Sequence, residues 1–231
     1  MDKIWENDDD LFKQAKKELF TAVIGDAMDK MELFHQFLPP KIQPLEKRMF
    51  LIGRAMPVLE ADTYEELSFG GQNKLMAKPF GLMLEALDDL KKNEVYICTG
   101  ASPRYALVGE LMMTRAQKLG AAGAVANGYS RDTFGLLEMD FPVFSYGNYA
   151  QDQGPRGKVI DFRVPIEIEG VRINPGDIIV GDIDGVCVVP QAHENEVFTR
   201  AFEKARGEKK VLKAIQNGMS AVEAWKKYQI M

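Results

Sequence analysis

The chain has 231 residues, 46 % hydrophobic and 27 % charged, enough for one large soluble domain or two small ones. Its net charge of −5 argues against nucleic-acid binding through a broad basic face. No window approaches the roughly eighteen apolar residues of a membrane span, and the opening MDKIWENDDD lacks the basic-then-apolar layout of a signal peptide, so a cytoplasmic protein is expected.

Taken in order, residues 1–10 read as a frayed end, with Asp8, Asp9 and Asp10 capping and charging a first helix. Leu11, Phe12, Ala15, Leu19 and Phe20 recur at helical spacing. Thr21 reads as the N-cap of a second short helix carrying Asp26 and Asp29; Asp26 is either functional or, as favoured, a solvated helix acid. Prolines 39, 40 and 44 make 34–44 a loop. Residues 49–59 read as a strand. Residues 60–76, with Gly70, Gly71 and Gln72, are either a loop near a site or an ordinary crossover. A helix at 82–90, a strand at 95–98 and a loop at 99–103 follow.

The stretch 109–132, GELMMTRAQKLGAAGAVANGYSRD, carries the chemistry. It predicts a helical run at 111–119 ended by Gly120, a buried strand at 121–126, and a turn that delivers Arg131 and Asp132. With the preceding elements this is the βαβ pattern of a sheet with packed helices. The loops at 100–102 and 127–132 are expected to converge, since ligands gather beyond strand ends in such sheets. The fork of Arg131 suits a planar carboxylate, and Glu110 and Asp132 suit a hard divalent cation. Arg131 and Asp132 equally suit a helix cap with a surface ion pair. Neither loop matches a dinucleotide fingerprint or a phosphate-binding lysine loop, and both classes are set aside.

Downstream, 134–139 reads as a helical turn and 141–144 as a strand. Residues 146–158 form a long loop whose Tyr146, Asn148 and Tyr149 are candidate pocket residues. A strand over 159–168 turns at Gly170 and continues through 171–173. The run NPGD at 174–177 is a turn, followed by strands at 178–180 and 186–189. Helices are expected from 191 to about 207, from 208 to 215 and from 221 to 228, with Trp225 as a packing or interface anchor. Residues 191–231 hold eight Lys and Arg against five Glu, read as a solvated helix face, with RNA or an acidic partner as the weaker alternative. Cys98 and Cys187 lie in apolar runs and read as two buried thiols of a reducing compartment. His35 and His193 are the only histidines, so a histidine-rich metal site is excluded and any metal must be held by oxygen. With no linker or repeat, 1–231 is read as a single domain whose α/β half and β-rich half share a core.

Three pieces resemble one family, that of the regulator of ribonuclease activity A and its relatives, the 4-hydroxy-4-methyl-2-oxoglutarate / 4-carboxy-4-hydroxy-2-oxoadipate aldolases. They are TAVIGDAM at 21–28, GELM at 109–112 with Arg131-Asp132 beyond it, and PGDIIVGDIDGVCVVP at 175–190; the phrase FPVFSYG at 141–147 fits too. The resemblance spans about 19–200, with 191–231 as a C-terminal helical extension. It implies an α/β fold, a swivelling β/β/α-type sandwich of the RraA-like kind. It also implies trimers, or hexamers of paired trimers, with active sites at subunit interfaces.

In the aldolases the arginine matching Arg131 binds the carboxylate of pyruvate or its enolate. Amides matching Gly109, Leu111 and Met112 help to hold that ligand. The aspartate matching Asp132 binds Mg2+ or Mn2+, and the acid matching Glu110 supports the metal through water. The implied activity is metal-dependent cleavage of a 4-hydroxy-2-oxo diacid to pyruvate, with oxaloacetate decarboxylation as a companion; no lysine is needed for a Schiff base. Gly135 stands where the family often has an acid. Glu203 and Glu208 are candidates for an acid lent by a neighbouring subunit. The alternatives are a non-enzymatic regulator that binds an RNA-degrading endonuclease, and a related lyase or isomerase on another 2-oxo or sugar acid, its pocket shaped by Tyr129, Tyr146 and Tyr149. Retention of Glu110, Arg131 and Asp132 favours the enzyme.

Overall fold

The computed structural model describes residues 4–63 and 74–230; Gly70, Gly71 and Gln72 lie outside them. α1 (Asp8–Glu18) is capped by Asn7, whose side chain accepts from the Asp10 N–H at 3.1 Å. The three aspartates charge the first turn rather than cap it. α2 (Thr21–Asp29) corrects the reading of Thr21 as a cap. Phe20 holds that position, and the Thr21 N–H and Oγ1 both donate to the buried Asp182 carboxylate at 2.7 Å. A carboxylate from 161 residues away satisfies the helix end, so no local cap is required. Asp26 is half exposed and pairs with Lys204 at 2.9 Å, as a solvated helix acid does.

The sheet is built on one long strand. β1 (Gln43–Pro44) is a short edge; β2 (Leu51–Asp62) runs through the middle. α3 (Met83–Asp89) and β3 (Glu94–Thr99) follow, then β4 (Ala106–Val108), α4 (Glu110–Lys118), β5 (Gly123–Ala126), β6 (Tyr129–Ser130), α5 (Thr133–Glu138) and β7 (Val143–Ser145). The last part holds β8 (Gly157–Phe162), β9 (Ile166–Ile168), β10 (Val171–Ile173), β11 (Ile178–Asp182) and β12 (Gly185–Val189), then α6 (Glu194–Gln216) and α7 (Ala221–Tyr228). The strand order is β1-β7-β5-β3-β2-β11-β12, with β8 also on β2. β2, β3, β5 and β7 are parallel, while β11 and β8 pair antiparallel with successive parts of β2.

Alternation along β2 divides the core. Ile52, Met56 and Val58 point towards the helices: Ile52 to the α1–α2–α6 cluster, Met56 and Val58 to the α3–α4 cluster. Leu51 and Ala55 point to the opposite face, which the β9–β10 ribbon covers with Ile166, Ile168, Val171 and Ile173. Both faces are buried, which is why these strands read as unbroken apolar runs. The layering is that of a β/β/α sandwich. Cys98 and Cys187 are free and buried in it.

Two readings are corrected here. Residues 159–168 are not one strand: Arg163 adopts φ 57°, β8 joins β2, and β9 leaves to pair with β10. The guanidinium of Arg163 anchors that corner by donating to both Glu94 carboxylate oxygens, at 2.7 and 2.9 Å. The C-terminal helix does not break at Gly207; α6 is continuous over 23 residues. A Cβ on Gly207 would lie 2.4 Å from Ile230 Cδ1, so this glycine admits the returning tail and does not end the helix. Trp225 on α7 is half exposed. Three of the basic residues of this tail are paired on helix faces, Arg200 with Glu196, Lys204 with Asp26 and Glu208, and Arg206 with Glu18. No helix among the described residues is long and apolar enough to cross a membrane.

Candidate active site

The parallel pairing of β4 with β6 sets Ala106 beside Tyr129 and Val108 beside Ser130. The Arg131 N–H continues that ladder to the Val108 carbonyl at 3.0 Å. This register places Gly109 and the start of α4 against Arg131 and Asp132. Gly109 is the N-cap of α4 and offers no side chain to the first turn. The Asp132 carboxylate takes that role in part: its Oδ2 accepts from the Glu110 N–H at 3.3 Å. The N–H groups of Leu111 and Met112 are first-turn donors with no intrahelical acceptor, at the positive end of the helix dipole.

Asp132 itself has φ 58°, a left-handed conformation that aspartate tolerates better than most residues. It occupies the N-cap position of α5, yet its side chain makes no capping bond there. The helix-cap reading is thus met in position and not in chemistry. The ion-pair reading is met too, since Arg131 Nε lies 3.4 Å from both Asp132 oxygens.

A cavity of about 440 Å³ opens at this point. Its wall is mostly apolar, with Phe80, Met83, Leu84, Leu87, Leu107 and Leu111, and includes the Arg115–Asp88 ion pair. Its polar end holds Arg131, Asp132, Asp152 and Gln153. Gly109, Leu111 and Met112 all line it. Asp152 was not singled out from sequence. Its Oδ1 accepts from Arg131 Nη1 at 2.6 Å, which leaves Nη2 without a partner among the described residues. The signal available was a lone acid in a loop of Gly, Gln and Pro, close after an arginine that needs a counter-charge.

The other candidates fall elsewhere. The loop at 100–102 does not line the cavity; Ser102 N–H donates to Asp62 Oδ1 at 2.9 Å, tying the loop to the end of β2. Tyr129 packs edge-on to Tyr146 and Tyr149, with centroids 5.7 and 5.4 Å apart, and none of the three lines the cavity. Asn148 does not line it either. Glu203 lines a separate groove against α2 and α7, and Glu208 pairs with Lys204 at 3.2 Å.

Glu110 leans away from the cavity, over α5. An added Cβ on Gly135 would lie 2.1 Å from Glu110 Oε2. The glycine that replaces the family's usual acid is therefore the floor on which Glu110 rests. Gly135→Ala is expected to displace the Glu110 carboxylate. It should leave folding within about 1 kcal/mol, because the side chain is flexible and alanine favours the helix. A thermal melt and the apparent Mg2+ affinity of the variant check both halves.

Among the described residues no three His, Cys, Asp or Glu side chains converge as a metal cage within one chain. The donor set here is instead one carboxylate at the cavity, Asp132, with Glu110 beside it, its N–H on Asp132 and its own carboxylate over Gly135. That fits Mg2+, which keeps several waters and binds through one or two carboxylates.

A family model described as RraA-like, Aldolase/RraA, matches residues 21–188. A protein of Halalkalibacterium halodurans, named provisionally as a 4-hydroxy-4-methyl-2-oxoglutarate aldolase, is 30 % identical over 207 residues, 89 % of each chain. A solved structure described among novel cellulases from gut-associated microbes is 29 % identical, with a TM-score of 0.78 over 90 % of both chains. The Streptomyces coelicolor protein RraAS2, described as an unusual member of the RNase ES inhibitor RraA protein family, is 20 % identical. It gives a TM-score of 0.73 over 89 % of this chain and 97 % of its own, a likeness of fold.

Proposed function

This chain belongs to the RraA-like family, and from that membership we propose that it is a carbon–carbon lyase that cleaves a 4-hydroxy-2-oxo diacid to release pyruvate, with Mg2+ or Mn2+ as cofactor. The observation that carries this reading is the convergence of the Arg131 fork, the Asp132 carboxylate and the open first turn of α4 on the polar end of one apolar-walled cavity.

Cleavage requires the C4 hydroxyl to lose its proton. The C3–C4 bond then breaks, its electron pair passing to C3 and the C2 carbonyl as the pyruvate enolate, which takes a proton at C3. Arg131, its Nη1 held by Asp152, binds the C1 carboxylate through Nη2. The Leu111 and Met112 N–H groups orient the bound acid at the helix end. The wall of Leu84, Leu87 and Leu107 keeps water from the carbanionic carbon. Asp132 would hold the cation directly and Glu110 through water. When bound, the ion polarises the carbonyl and offsets the charge developing on its oxygen. Loss of carbon dioxide from oxaloacetate leaves the same enolate, so that decarboxylation is expected as well.

The provisional name of the Halalkalibacterium relative supports a lyase. Hydrolysis of a polysaccharide needs two carboxyl groups astride a sugar chain, whereas this cavity has the size and the guanidinium for a small acid. Leu111 and Phe134 are 84 % and 89 % exposed beside it. We assign this apolar rim to contacts between copies of the chain in a trimer or hexamer. The same rim is what a regulator of an endonuclease would use, which is the second reading.

A coupled assay of pyruvate release with Mg2+, offered 4-hydroxy-2-oxo diacids and oxaloacetate, tests the proposal. Asp132→Ala is expected to lose about 10²-fold in kcat/KM while remaining folded. Endonuclease binding without any metal-dependent turnover would establish the regulator instead.

A further inference from the structure

Behind the polar end of the cavity lies a second cluster, wholly inside the protein. Glu60, near the end of β2, is 2 % exposed and projects to the face of β2 that α3 and α4 cover. Its Oε2 accepts from Gln153 Nε2 at 2.8 Å. Among the described residues its Oε1 has no hydrogen-bond partner, and neither does the hydroxyl of buried Tyr96. The titratable groups that face Glu60 are Tyr96 and Cys98 from β3, and Tyr105 from the segment before β4. Tyr105 gives its own hydroxyl to Asp62 at 2.8 Å. No cation among the described residues compensates Glu60, and burial, opposed only by the Cys98 thiol, pushes its carboxyl up to about 8. An aliphatic side chain would fill this space without leaving polar atoms unpaired.

The placement of Gln153 gives the carboxyl a use. The Gln153 carbonyl accepts from both Arg156 and Gly157 N–H, at 2.7 and 2.9 Å, so this residue closes the turn of the 151–156 loop. The preceding residue is Asp152, bound to Arg131 at 2.6 Å. A chain of contacts therefore runs from Glu60 through Gln153 and Asp152 to the guanidinium.

We propose that Glu60 is a positioning residue: in its neutral form it pins Gln153, and with it the loop that holds Asp152 against Arg131. This rests on reading Arg131 as the anchor of the substrate carboxylate. Ionised, the same carboxyl has the Gln153 amide and the Cys98 thiol beside it and no counter-ion among the described residues. It is then satisfied only by water admitted where the loop now packs, and Asp152 is released. Glu60→Gln preserves the acceptor for Gln153 at every pH. Glu60→Leu removes it and orphans the Gln153 amide.

The test combines hydrogen exchange of the 151–157 backbone, corrected for intrinsic rates, with the pH profile of kcat/KM for pyruvate release. In the wild type, loop exchange should rise about tenfold between pH 7 and pH 9, and kcat/KM should fall over the same range. Glu60→Gln should flatten both curves, and Glu60→Leu should exchange fast already at pH 7. The proposal is overturned by a Glu60→Gln curve that tracks the wild type, or by a Glu60→Leu loop as protected as the wild type at pH 7. If the exchange behaves as expected but no oxo acid is bound or turned over, the pin from Glu60 to the loop stands and the lyase reading falls.

Discussion

Arg131→Ala is expected to lower kcat/KM for pyruvate release by about 10–10²-fold, the loss of a charge-assisted hydrogen bond from Nη2 worth about 1.5–3 kcal/mol. Two arginines line the cavity; Arg115 pairs with Asp88 at 2.8 Å, whereas Nη2 of Arg131 has no partner among the described residues and can meet a ligand. The fold should survive. The Arg131 N–H bond to Val108 is a backbone contact that alanine keeps, and the ion pairs to Asp132 and Asp152 are half exposed and contribute about 1 kcal/mol or less. Arg131→Lys should recover only a small part, because an ammonium is a point charge and lacks the planar fork that meets Asp152 with one arm and a ligand with the other. The comparison needs steady-state kinetics and a melt of each variant; wild-type turnover in a folded Arg131→Ala protein would remove Arg131 from the site.

Folding stability is expected to drop by on the order of 4 kcal/mol through Glu60 alone as pH rises from 5 to 9. The carboxyl lies near 4.5 when exposed in the unfolded chain and at about 8 in the folded protein. Below the first value both states hold the proton and the stabilisation is complete. Between the two, the unfolded chain has lost the proton that the folded protein keeps, so raising pH favours unfolding. Above the second, both states are ionised and the loss levels off. Glu60→Gln carries no such proton, and its stability relative to the wild type should grow across this window. Urea denaturation at a series of pH values and one fixed protein concentration gives the difference directly. The series should end near pH 9, because burial also raises Cys98 and Tyr96 and their ionisation lies above that range. Parallel curves for the two proteins would show that Glu60 is already ionised in the folded state.

The motifs that identified the family divide in an instructive way. Two of them are structural. TAVIGDAM and PGDIIVGDIDGVCVVP meet through Thr21 and Asp182, where one buried carboxylate closes a helix end. They specify how α2 seats on the β11–β12 hairpin and contribute nothing to the cavity. The third, GELM with Arg131-Asp132, forms the polar end of the pocket, and its spacing became meaningful once β4 paired with β6. The departure at Gly135 looked like a missing acid and is the space Glu110 occupies.

Although β4 and β6, which set the register of the Arg131 unit, were not legible as strands, the sequence by itself indicated β2, α3, β3, α4, β5, α5 and β7, the family, and the helix–strand–loop unit carrying Arg131 and Asp132. Those are local properties: periodicity, turn chemistry and short motifs act over a few residues. Only the tertiary structure decided that α6 passes Gly207 unbroken, that the chain turns away at Arg163, and that the three tyrosines stack beside the cavity rather than in it. It alone brought Asp152 to Arg131 and Gln153 to Glu60, 93 residues distant. A carboxyl's role depends on what surrounds it, and strand register and burial set those surroundings between segments that carry no local signal of each other.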